Sequence, residues 1–139
     1  MKRLTKARQI KCSFAELDRS LKSLNGYRLH GCFRHSFTEH WKPFRTAVTT
    51  MKNAYRHYWE AIDDGVKTDV RRKLRMAFNL SQHRAVRTLY KLLCPDLASG
   101  NLTRKTREKV EDAEQEVVDA IYGLCRAVNA PLDSELSKP

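Results

Sequence analysis

Four times along this chain, apolar residues recur at alternating three- and four-residue steps. In the first stretch they are Ala7, Ile10, Phe14, Leu17, Leu21 and Leu24, and in the second Trp41, Phe44, Val48, Met51, Tyr55, Tyr58 and Ile62. The third carries Val70, Leu74, Ala77, Phe78, Ala85, Leu89 and Leu92, and the fourth Val110, Ala113, Val117, Ile121, Leu124 and Val128. A helix turns by about 100° per residue, so this spacing gathers each set onto one stripe, whereas a half-buried strand would alternate at every second residue. No segment alternates in that way, and a sheet is not expected.

The punctuation agrees with the ladders. Asn25-Gly26 follows the first as a C-terminal stop that tolerates left-handed backbone, and Asp63-Asp64-Gly65 closes the second. Pro43 is expected in the first turn of the second helix, where its missing N–H costs little. Thr68 is expected to cap the third helix, with Asp69 at the positive end of its dipole and Pro95 ending it. Asn79 and Ser81 are the points at which that helix could break. The fourth is expected to be capped by Asn101 or Thr103 and to stop at Pro131. The expected fold is all-α: an antiparallel four-helix bundle, up-down-up-down, as a single domain over residues 1–130. Its helices are expected near 3–24, 38–64, 68–94 and 102–128, with a flexible C-terminal tail at 131–139. A chain of 139 residues can bury such a core without staples.

Charge is the next constraint. There are 27 Lys and Arg against 16 Asp and Glu, a formal net charge of +11. The surplus is uneven: residues 1–36 and 66–94 each carry +7, residues 37–65 are neutral, and residues 95–139 carry −3. It is also phased. Arg8, Lys11, Arg19 and Lys22 fall opposite the first apolar stripe, and Arg72, Lys73, His83, Arg84, Arg87 and Lys91 share one face of the third helix with Tyr90. Arg71 and Arg75 fall toward that helix's apolar side, as contacts to a neighbouring helix or loop. A merely solvated face mixes signs, and like charges at i, i+3 and i+4 repel by a few tenths of a kcal/mol each, so these faces call for a polyanion. Glu108, Glu111, Asp112, Glu116 and Asp119 line the outer face of the fourth helix, a candidate docking surface for a basic protein or for a second copy of the chain.

Eight of the twelve aromatic residues lie between Tyr27 and Trp59. Trp41, Phe44, Tyr55 and Tyr58 belong to the apolar stripe and read as core. Tyr27, Phe33, Phe37 and Trp59 remain as candidates for stacking on unpaired bases among the interleaved cations. His30, Cys32, His35 and His40 are metal-ligand types, but they match no zinc-module spacing and lack a second pair, so no metal or cofactor is expected. No phosphate-binding glycine loop, nucleophile elbow or metalloprotease motif occurs, and the acidic residues form no metal-holding set, so catalysis is not expected. Cys12, Cys32, Cys94 and Cys125 show no paired spacing. With no apolar run behind the basic N-terminus, they read as reduced thiols of a cytoplasmic protein.

The functional expectation is a non-catalytic binder of RNA or DNA phosphates. Arg8, Lys11, Arg19, Lys22, Arg72, Lys73, Arg84, Arg87 and Lys91 would hold the backbone, and the protein would serve as an accessory subunit of a larger nucleoprotein complex. In architecture and charge alone the chain is similar to the small helical subunits of CRISPR effector complexes. It is similar in the same sense to the basic accessory protein of diversity-generating retroelements, which works beside a reverse transcriptase. The competing expectation is a protein-binding module, such as a phage or plasmid inhibitor docking on an acidic or nucleic-acid-binding surface, because Met76 and Leu80 interrupt the basic face. Membrane binding ranks last, since the bundle already uses its apolar faces.

Overall fold

The computed structural model of the chain describes residues 6–27, 34–98 and 103–130, with side chains described for 10–27, 39–92 and 103–130. Four helices make up almost all of it: α1 (Lys6–Asn25), α2 (Arg34–Asp63), α3 (Thr68–Ala98) and α4 (Arg104–Asn129). No strand occurs among the described residues.

The stripes meet in one core. Leu17 and Leu24 of α1, Phe44, Met51 and Tyr58 of α2, Phe78, Leu89 and Leu92 of α3, and Val110, Val117, Ile121 and Val128 of α4 are wholly buried. An aromatic chain ties three helices together: Tyr55 lies 5.3 Å from Phe14 and 5.9 Å from Phe78, centroid to centroid, in tilted geometry. The most extensive packing is between α2 and α3. α4 rests on both α3 and α1, α1 touches α2 only sparsely, and α1 and α3 do not meet among the described residues.

The connections show why the helices stop. Gly65 takes a left-handed φ of 70°. Its N–H bonds the carbonyl of Ile62 and that of Val66 the carbonyl of Ala61, the paired closure of a Schellman turn. Gly26 ends α1 without the expected left-handed backbone. Its N–H reaches the carbonyls of Lys22 and Ser23, and a Cβ there would lie 3.1 Å from the Ser23 oxygen. Thr103 caps α4, accepting the N–H of Thr106 at 3.2 Å, an arrangement that stabilises a helix by about 1 kcal/mol.

Several expectations need correction. α2 begins at Arg34, not near 38, so Pro43 stands inside the helix and withholds a donor from its ladder. α3 runs past Pro95 to Ala98, since proline's own φ is helical and the lost donor and the ring's crowding of the preceding turn fall in the helix's last stretch. The carbonyl of Lys67 accepts the N–H of Arg71, so Lys67 takes the cap position and Thr68 the first helical one. Asn79 and Ser81 do not interrupt α3. The Asn79 amide pairs reciprocally with that of Asn129 on α4, at 3.1 and 2.9 Å, and the Ser81 hydroxyl donates to the carbonyl of Ala77 at 2.8 Å. Val70 and Ala77 are exposed, while Val86 and Gln82 are buried in their place.

Candidate nucleic-acid interface

The outer face of α3 is a ridge of exposed cations. Arg72, Lys73, Arg84, Arg87 and Lys91 are all exposed, and none of them takes part in a salt bridge among the described residues. On 3.6 residues per turn they occupy roughly 120° of the helix surface, and from Arg72 to Lys91 they extend over roughly 29 Å. His83 and Tyr90 share the ridge, and Met76 and Leu80 stand on its crest, 58% and 71% exposed. Arg71 and Arg75, off this face, are half-buried and engaged elsewhere. One exposed carboxylate, Asp69, shares this arc a turn before Arg72 and Lys73, so the five cations outnumber it and the field toward solvent stays positive.

The cations of α1 divide. Lys11 and Lys22 are exposed. Arg19 is exposed as well but borders a recess of about 370 Å³ with Glu16, Ser20, Glu116 and Asp119, where an approaching phosphate would meet three carboxylates. The side chain of Arg8 lies outside the described residues. Among the described residues the backbones of α1 and α3 do not approach closely, and their cations stand on two different helices of the bundle.

On α4, Glu108, Glu111, Asp112, Glu116 and Asp119 are exposed. Glu108 accepts from Arg104 at 3.2 Å and Asp119 from Gln115 at 2.8 Å. Sequence phase passed over Glu114, which is half-buried. Burial raises its carboxyl above the ordinary glutamate range, and Glu111 one turn earlier adds to the shift. The Tyr90 phenol is raised too, by partial burial and then by Tyr122 and Glu114, which links this carboxyl to the edge of the α3 ridge. With its folded pKa the higher one, Glu114 binds its proton more tightly in the native protein than in the unfolded chain. Stability therefore falls as pH rises through the window above the ordinary glutamate value. Glu114→Gln is expected to flatten that dependence and to stabilise the protein at neutral pH. Denaturation midpoints at about pH 4 and pH 7 check this, and an unchanged difference between the two would refute it.

The proposed stacking groups have unequal positions. Trp59 is half-buried, edge-on to Tyr58 at 5.2 Å and to Tyr55 at 6.2 Å, and Tyr27 is half-buried against the core. Phe33 lies outside the described residues, as does the side chain of Phe37. Trp41, read as core, is partly buried and packs against the core, and it also lines a groove between α1 and α2.

His30 and Cys32, and the side chains of His35 and Cys94, fall outside the described residues. Among the described residues no group of His, Cys, Asp and Glu could hold a metal ion, and Cys12 and Cys125 are free thiols. No described helix is long and apolar enough to cross a membrane. No protein-family model, curated protein or solved structure matches this chain.

Proposed function

We propose that this chain is a non-catalytic nucleic-acid-binding protein that grips the phosphate backbone of RNA or DNA with the outer face of α3. The bundle is taken to alternate in direction, up-down-up-down, and to work in the cytoplasm as an accessory subunit of a larger nucleoprotein assembly. One observation carries the reading: five exposed cations, none salt-bridged among the described residues, lie along one face of a single helix. Recognition by such a ridge follows charge and shape rather than base identity. Lys11 and Lys22 supply a second, weaker surface on α1. The acidic face of α4 offers a contact for a basic partner or for another copy of the chain.

The test is a salt titration of binding to RNA and DNA oligonucleotides with protein stripped of co-purifying polymer. Five phosphates neutralised on duplex DNA give a log K against log[salt] slope of about −4.5. No binding to any polymer at low salt would remove the reading. A second reading, docking on an acidic protein surface, is favoured by the exposure of Met76 and Leu80. Binding to a protein partner that survives high salt would support it, because apolar contacts are not screened.

A further inference from the structure

α1 and α2 touch only sparsely, and residues of both line a groove of about 390 Å³, within the range of small-ligand sites. Its apolar lining is Leu21, Trp41, Phe44 and Val48. Phe44 and Val48 are buried at its floor, while Leu21 and Trp41 form half-buried walls. The Trp41 ring rests on Phe44 at 5.7 Å and also borders a second recess of about 400 Å³ on α2, shared with Lys42, Arg45 and Thr49. The indole is thus partly buried, supported by Phe44 and the core, and part of the lining of both recesses.

The charges around it are arranged for an anion. Lys22 and Arg45 are exposed at the rim, and neither takes part in a salt bridge among the described residues. The groove's one carboxylate, Asp18, is bound by Lys52, whose ammonium also lies 5.1 Å from the centroid of the Phe14 ring. The group that would repel a phosphate is thus already neutralised, and Lys22 and Arg45 remain available. Thr49 adds a hydroxyl to the groove, while Thr46 and Thr50 line the second recess, the Thr50 hydroxyl donating to the carbonyl of Thr46 at 3.0 Å.

An aromatic platform with cations at its rim and a hydroxyl beside it fits a nucleobase stacked on the ring with its phosphates outside. A base inside a duplex cannot reach such a groove without leaving its stack. We propose that the α1–α2 groove holds one unpaired nucleobase of a bound strand, stacked on Trp41, with the flanking phosphates on Lys22 and Arg45. This rests on the nucleic-acid reading above and adds to it a preference for single strands.

The experiment compares an oligothymidylate with a duplex of the same length at low salt, following tryptophan emission and affinity. The single strand is expected to quench emission in the wild type but not in Trp41→Phe, and the duplex to quench neither. Trp41→Ala is expected to lower single-strand affinity roughly ten-fold, the worth of one base stack, and to leave duplex affinity unchanged. Arg45→Glu, a change at an exposed residue that leaves the core intact, is expected to cause a selective loss of the same order. If both polymers bind the wild type while Trp41→Ala and Arg45→Glu bind the single strand normally, the groove proposal alone is overturned. If neither polymer binds the wild type, the backbone reading falls and takes this one with it. Thymidine monophosphate binding as tightly as the oligomer would assign the groove to a free nucleotide and overturn the strand site.

Discussion

Reversing Arg84 and Arg87 together to glutamate is expected to cut nucleic-acid affinity by roughly ten- to a hundred-fold at low salt and to leave the bundle folded. Both side chains are exposed, they stand one turn apart, and neither takes part in a salt bridge among the described residues. With two phosphate contacts gone, the log–log salt slope on duplex DNA should become shallower by about 1.8. Stability should move the other way. The two new carboxylates repel each other as the guanidiniums did, but the one at position 87 attracts Lys91 at i, i+4, so the reversal gains a few tenths of a kcal/mol from that pair alone. The control is Lys105→Glu with Lys109→Glu, the same change in net charge on exposed residues of α4. An equal loss of affinity in the control would mean that overall charge, not the α3 ridge, attracts the polymer.

Phe78→Ala is expected to have the largest effect on stability, a loss of about 3–5 kcal/mol. Phe78 is wholly buried and packs on Tyr55, which in turn packs on Phe14, so its removal leaves a void where α1, α2 and α3 are joined. A domain of this kind is stable by only about 5–15 kcal/mol, so a loss of that size is a large share of the whole. Leu80→Ala, two residues on and 71% exposed, is expected to change stability by no more than about 0.5 kcal/mol. Denaturant midpoints at constant slope measure both. Similar losses for the two would mean that the buried face of α3 has been assigned wrongly.

That pair of residues also marks where sequence reasoning succeeded and where it failed. In α1, α2 and α4 nearly every apolar residue sits on one stripe, and phase alone located Phe14, Leu17, Phe44, Met51, Val117 and Ile121 in the core. In α3, apolar residues stand on both sides. Met76 and Leu80 share the cationic ridge, and the blurred period misassigned Val70 and Ala77 while passing over Val86 and Gln82. The continuity of α3 through Asn79 was illegible for a different reason. The side chain that accommodates it, Asn129, lies 50 residues away on α4, beyond any local rule. The cations of the candidate interface were readable because exposure follows from phase. That Trp41 also lines a groove was not, because a groove exists only once α1 and α2 are placed side by side. Arg19 likewise changes character only when Glu116 and Asp119 are brought beside it.

The sparse contact between α1 and α2, set against the broader seat of α1 on α4, has a consequence for how the chain is made. α2 and α3 are joined by residues 64–67 alone and can close on each other as soon as both exist, at little cost in chain entropy. α1 leaves the ribosome before either, yet it packs more broadly on α4, the last of these four helices to emerge. Ile10, Phe14, Leu17 and Leu24 therefore spend much of synthesis poorly covered, in the state that invites chaperone capture or association between nascent chains. Of these four helices, the first to be made is the last to be secured.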